Sequence, residues 1–191
     1  MSQGQEVRQL ASSAAPPHRI TPLITEDDIR RRIGELANEL KRDLGALDPV
    51  VISVLKGSFV FVADLIRQMD FPLTTEFIRV SSYGNRVVTS GEVKVELDLA
   101  NSVANRHVLL IEDIVDTGLT IDYLSAMLKT RQPQSVRVCT LLHKPSNTVK
   151  VHPIDYAGFE IPNRFVVGYG LDYHGYYRNL PYVAEIEEIT T

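Results

Sequence analysis

At 191 residues the chain has the length of one compact domain and is short for two. Its 44% hydrophobic and 23% charged residues match an ordinary globular protein and exclude collagen, coiled coil or disorder as a description of the whole. With 20 Lys plus Arg against 24 Asp plus Glu the formal charge is -4, which argues against nucleic acid as the main partner. The single Cys139 lies in the apolar run 136–142 and predicts a buried, inert thiol suited to a reducing compartment. No stretch approaches the ~20 apolar residues of a membrane helix, and the N-terminus lacks the apolar core of a secretory signal. A cytoplasmic protein without a membrane partner is therefore expected. Residues 1–20 mix Ser, Gln, Ala, Pro16 and Pro17 without periodicity and predict a poorly ordered tail, leaving 21–191 as a single domain.

From residue 25 the pattern becomes regular. Thr25 suits a helix cap, Asp27 and Asp28 suit the positive end of a helix dipole, and Ile29, Ile33, Leu36, Ala37, Leu40 and Leu44 share one helical face. Arg30, Arg31 and Arg32 advance by ~100° each, so they fan out over a solvated face rather than form a patch. Residues 50–55 are continuously apolar, as in a strand buried on both sides. Lys56-Gly57-Ser58 ends that run, and Phe59, Val62, Ala63, Leu65, Ile66 and Met69 predict a helix over 59–69. A strand is expected at 74–80, a long exposed loop of the kind that serves as a lid at 81–91, and a strand with one wet face at 93–99. An apolar strand at 108–111 leads into a polar turn at 112–120, a helix at 121–130 and a strand at 136–142 ending in His143-Lys144-Pro145. Pro153, Gly158 and Pro162 predict irregular chain, followed by short strands at 165–168 and 183–186. Buried strands alternating with helices imply an α/β fold, a mostly parallel sheet flanked by helices, with ligands beyond the carboxyl ends of its strands. The turns at 56–58, 112–120, 143–145 and 169–178 should converge there.

The richest chemistry lies in Glu112-Asp113-Ile114-Val115-Asp116-Thr117-Gly118-Leu119-Thr120. A Thr-Gly turn opening a helix offers free backbone N–H groups, hydroxyls and a positive dipole end, which suit a phosphate monoester. The three carboxylates would repel that anion and need another task, such as accepting from sugar hydroxyls, neutralising a cationic transition state or helping to hold Mg²⁺. A ligand phosphorylated at one end and polyhydroxylated at the other reconciles both features. A plain helix cap explains the turn equally well by itself. No glycine-lysine pair supports a P-loop, Gly168-Tyr169-Gly170 lacks the third glycine of a dinucleotide fingerprint, and the five histidines show no metal-ligand spacing.

The segment 108–120 resembles the phosphoribosyl diphosphate (PRPP) binding motif of type I phosphoribosyltransferases. Leu55-Lys56-Gly57, Ser82-Tyr83-Gly84, Leu141-Leu142-His143-Lys144-Pro145, Phe159-Glu160-Ile161-Pro162 and the run Phe165-Val166-Val167-Gly168-Tyr169-Gly170-Leu171-Asp172-Tyr173 narrow the resemblance to the hypoxanthine-guanine phosphoribosyltransferases. It extends from about residue 21 to the C-terminus. The resemblance implies a type I phosphoribosyltransferase fold, with a small hood built from the chain termini and the 150–182 region. It implies transfer of the phosphoribosyl group of PRPP to a 6-oxopurine, with Mg²⁺, in purine salvage, by a homodimer or homotetramer.

Roles for single residues follow from the same resemblance. Glu112 and Asp113 match the pair that holds the ribose hydroxyls, and Asp116 matches the acid facing purine N7. Residues Asp116, Thr117, Gly118, Leu119 and Thr120 match the 5'-phosphate loop. Lys56, Gly57 and Arg178 match pyrophosphate contacts, with a non-proline cis peptide implied between Leu55 and Lys56. Ser82 and Tyr83 match the closing loop. Lys144 matches the donor to the 6-oxo group, Phe165 the stacking platform, and the carbonyls of Val166 and Asp172 the acceptors for a guanine amino group. Asp172 matches the metal-contacting aspartate, with Glu112 and Asp113 as further metal candidates. Leu119 and His143 depart from the pattern without removing a chemical role. Two other readings stay open: a silent nucleotide-binding regulator of the same fold, and a xanthine-preferring enzyme.

Overall fold

The computed structural model describes residues 18–82, 93–149 and 153–189. Two sheets organise the chain. The larger has six strands: β2 (Val50–Leu55), β3 (Thr74–Ser82), β4 (Val93–Leu97), β5 (His107–Val115), β6 (Ser135–His143) and β7 (Tyr156–Glu160). Their order is β4-β3-β2-β5-β6-β7, with only the β3–β4 pair antiparallel. The chain leaves β2 for one side of the sheet and returns through β5 on the other, so a crevice opens beyond the carboxyl ends of these two strands. The second sheet is the hood, an antiparallel β1-β9-β8 array formed by β1 (His18–Ile24), β8 (Val166–Val167) and β9 (Val183–Glu188).

Alternation along the central strands assigns each face of the large sheet its own helices. Val51, Leu109, Ile111, Cys139 and Leu141 pack with α1 (Glu26–Leu44) and α2 (Phe59–Ile66), whereas Val50, Ile52, Val54, Val108, Leu110 and Val138 pack with α3 (Leu119–Lys129). Helices on both faces follow from that division. In α1 the stripe Ile29, Ile33, Leu36, Ala37, Leu40 and Leu44 is buried as expected, each large side chain contributing roughly 1.5–3 kcal/mol. Thr25 caps the helix by accepting from the Asp28 amide at 3.1 Å. Arg30 and Arg31 pair with the acids of the first turn, but Arg32 departs from the expected solvated face. It donates to the carbonyls of Gly158 and Ala157 and so fastens α1 to β7.

Several boundaries differ from the sequence reading. β1 begins at His18, so the last three residues assigned to the tail are paired with β9, a partner too distant in sequence to leave a local signal. β5 runs through Val115, because Glu112, Ile114 and Val115 stay in register with Thr140, Leu142 and His143. The acidic pair is therefore strand, and the turn shrinks to residues 116–118. β7 occupies chain read as irregular: a Cβ on Gly158 would lie 2.5 Å from the Leu141 carbonyl, so this glycine permits close strand approach rather than breaking a strand. The expected loop at 81–91 loses its first two residues to β3, and Tyr83 and the rest of it lie outside the described residues.

Candidate active site

The turn after β2, the end of β5, the start of α3, the end of β6 and the hood segment 165–178 surround two neighbouring cavities. The first, about 290 Å³, is lined by Lys56, Gly57, Glu112, Asp113, Thr120, Asp172 and Arg178 among others. The second, about 190 Å³, is lined by Asp116, Lys144, Phe165, Val166 and Leu171, and shares Asp113 and Asp172 with the first. Two carboxylates thus stand where a cationic compartment adjoins an aromatic-rimmed one. A larger hollow of about 700 Å³ between α1, α2 and residues 178–181 contains neither Asp116 nor the acidic pair, and of the site residues identified from the sequence only Arg178 borders it.

Backbone contact brings these segments together. The Leu55–Lys56 peptide is cis, as the resemblance implied. A Cβ on Gly57 would stand 1.6 Å from Asp113 Oδ2, and a Cβ on Gly170 would stand 2.0 Å from the Gly57 carbonyl oxygen. Only glycine fits at either position. Beneath the turn, the buried Ser58 hydroxyl donates to the Val54 carbonyl at 2.6 Å and lies 2.7 Å from Ser53 Oγ, which ties the loop back onto β2.

Glu112 and Asp113 are each only 9% exposed. Burial pushes the Glu112 carboxyl well above the usual carboxylate range, and the adjacent Asp113 charge adds to the rise. Burial also raises Asp113, opposed by the hydrogen bond from Glu112 and by the Arg178 charge. The two carboxyls are coupled, and burial raises both of them. Glu112 Oε2 is buried without a hydrogen-bond partner, an unmet acceptor at the cavity wall. Arg178 pairs with Asp172 at 2.5 Å and donates to the Gly170 carbonyl at 2.6 Å; Asp172 also accepts from the Gly175 amide at 2.7 Å.

Gly118 caps α3 at φ 82° without a side-chain cap of its own, and the Leu119 N–H makes only a long bond to Thr117 Oγ1 at 3.5 Å, so this helix start suits an anion. Thr117 is exposed beside them, and Leu119 points outward. Asp116 precedes this turn, and Lys144, only 6% exposed, donates to its Oδ2 at 3.0 Å. Phe165 is 56% exposed, as befits a platform rather than core filling, and meets Tyr173 edge-on at 5.8 Å. Val166 is buried in the hood sheet opposite Glu185. Asn147 and Thr148 also reach Asp116, which the sequence reading missed; their cue was the proline turn that returns the chain after Lys144. Ser82 ends β3, and His143 engages Thr148 at 3.3 Å. Among the described residues no three His, Cys, Asp or Glu side chains form a metal cage by themselves.

Residues 24–174 match the phosphoribosyl transferase domain family. The chain belongs to that family. This phosphoribosyltransferase is 47% identical over 165 residues to the hypoxanthine-guanine phosphoribosyltransferase of Bacillus subtilis (strain 168), covering 86% of this chain and 92% of the relative. It is 41% identical over 172 residues to the hypoxanthine phosphoribosyltransferase of Haemophilus influenzae, covering 88% and 96%. The crystal structure of a Bacillus anthracis hypoxanthine-guanine phosphoribosyltransferase superposes with a TM-score of 0.82 at 43% identity, over 86% of this chain and 96% of that one. The phosphoribosyltransferase fold implied by the resemblance is the one observed, but β7, within the 150–182 region expected to form the hood, belongs to the large sheet. No helix among the described residues is long and apolar enough to cross a membrane.

Proposed function

We propose that this phosphoribosyltransferase joins hypoxanthine or guanine to PRPP, giving the nucleoside 5'-monophosphate and pyrophosphate. One observation carries the choice of base: a buried ammonium donor, Lys144 Nζ, held 3.0 Å from a carboxylate acceptor, Asp116 Oδ2, in the cavity that the Phe165 ring also lines. A 6-oxopurine with its proton on N7 presents the complementary edge, an oxygen that accepts from Lys144 beside an N–H that donates to Asp116. Adenine presents an amino group at the first of these positions, and an ammonium cannot donate to it.

The remaining residues divide the work by charge. Asp116, Thr117, Gly118, Leu119 and Thr120 bind the 5'-phosphate through the N–H groups and hydroxyls at the start of α3. Lys56, Gly57 and Arg178 receive pyrophosphate. N9 attacks the anomeric carbon as its bond to the pyrophosphate oxygen breaks, and positive charge develops on the ribose ring. Asp113 and Glu112 face that ring and accept from its hydroxyls, and a carboxylate charge on the pair offsets the developing one. Asp116 accepts the hydrogen bond of N7–H and takes up this proton as N9 becomes bonded. Ser82 and Tyr83 belong to the segment that closes over the reactants.

Mg²⁺ fits this donor set. The unmet Glu112 Oε2 and the carboxylates of Asp113 and Asp172 border one cavity, and a cation that retains water needs few protein oxygens. When bound, Mg²⁺ supplies neutralisation of the departing pyrophosphate. The same reading carries a homodimer or homotetramer acting in cytoplasmic purine salvage.

An ultraviolet assay with PRPP, Mg²⁺ and hypoxanthine, guanine, xanthine or adenine tests it. Turnover is expected with hypoxanthine and guanine and not with adenine. Asp116→Asn should lower kcat by about 10²-fold or more with little change in PRPP affinity, and Lys144→Ala should weaken oxopurine use while PRPP still binds. Turnover with no base would instead favour a nucleotide-binding regulator.

A further inference from the structure

Asp116 is gripped at both carboxylate oxygens. Oδ2 accepts from Lys144, while Oδ1 accepts from the side-chain amide of Asn147. Both donors ride on one short piece of chain, since the 3-10 turn Pro145–Asn147 begins immediately after Lys144 and the Asn147 amide N–H donates to the Lys144 carbonyl at 3.1 Å. That piece is itself latched to the Asp116 backbone. Lys144 N–H donates to the Val115 carbonyl at 2.9 Å, the Thr148 hydroxyl to the Asp116 carbonyl at 2.9 Å, and the Val149 N–H to the Thr117 carbonyl at 3.1 Å.

The two grips have different futures when a base arrives. Lys144 has a task on the ligand and is drawn toward its oxo group. Asn147 has none: its remaining polar atom, Oδ1, accepts from Asn163 Nδ2 at 3.3 Å, two residues before the Phe165 platform. The bond to Asp116 fixes which way the amide faces, because a carboxylate can only accept. We propose that Asn147 is the positioning residue that holds the Asp116 carboxylate in plane with the purine edge when Lys144 turns to the base. This rests on the reading of Asp116 as the N7 partner. Two of the roughly four lone-pair directions of the carboxylate are used by its protein donors, and the others stay open to the ligand.

Steady-state kinetics of the full chain with hypoxanthine and PRPP provide the test. Asn147→Ala should lower kcat about tenfold, the worth of a hydrogen bond to a charged group, while the KM for PRPP stays within about twofold. Asn147→Asp keeps the shape but replaces the donor by an acceptor and should lose at least as much. Asn147→Gln, which keeps the amide, should recover most of the loss. Adding Asn147→Ala to Asp116→Asn should cost nothing further. Unchanged kcat in the Ala and Asp variants, no recovery with Gln, or a full additional loss in the double variant overturns the proposal. A rise in the KM for PRPP equal to the fall in kcat would mean that the phosphate turn itself had collapsed, and overturns it as well. Full turnover of Asp116→Asn alone would instead strike the role given to Asp116.

Discussion

Glu112 and Asp113 sit side by side in a strand, nearly sealed from solvent, and both hold their protons more tightly than a free carboxyl does. The residue types were legible in the sequence, but their burial was not: five acidic or hydroxyl groups within nine residues look like an exposed turn. Only pairing with β6, which no local pattern announces, pulls the acids into the sheet. Stability should record the difference. A carboxyl whose folded-state pKa is raised favours the folded state fully below the unfolded pKa, and that contribution is lost as pH rises through the folded value. The ligand-free protein should therefore lose stability from mildly acidic pH upward through the raised Glu112 titration. Glu112→Gln keeps the neutral shape and should flatten the decline, so that its melting temperature exceeds that of the natural chain increasingly as pH rises. Parallel melting curves across pH check this; equal slopes would show that the pair is not coupled to folding.

The elements with one local logic were legible, and those with two were not. α1 carries its cap, its acidic first turn, its basic last turn and its apolar stripe within one stretch of chain. Thr25→Ala should remove the cap hydrogen bond at a cost of about 1 kcal/mol, read from the denaturant midpoint at an unchanged m-value. β7 was missed because its proline-bounded, glycine-containing sequence is locally loop-like; its pairing with β6 and the Arg32 hydrogen bonds from α1 come from elsewhere in the chain. Arg32 misled for the same reason, since a triplet of arginines on a helix gives no sign that one of them reaches two carbonyls of a strand more than a hundred residues away.

For the whole molecule, the buried central strands and flanking helices declared the large sheet and located its ligand crevice, whereas the hood could be reached only through the family resemblance. Its three strands come from the two ends of the described chain and one short internal piece, so their pairing is invisible to any window of sequence. That arrangement links distant parts energetically. β1 supports β9, β9 pairs with β8, and β8 follows directly from Phe165 and begins with Val166, which lines the smaller cavity beside Asp116 and Lys144. Ile20 is buried with Val167, Ala184 and Ile186. Ile20→Ala should lower stability by roughly 2–5 kcal/mol and raise the KM for the purine base more than that for PRPP, as initial-rate measurements with each substrate varied would reveal. The meeting of Gly57 and Gly170, main chain against main chain, has a different import. Neither residue has a side chain to place between them, so their approach is set by non-bonded contact of main chain with main chain rather than by a rotamer. Under the proposed reaction, the seam is a stop of fixed position at the edge of the cavity assigned to pyrophosphate, which Gly57 lines.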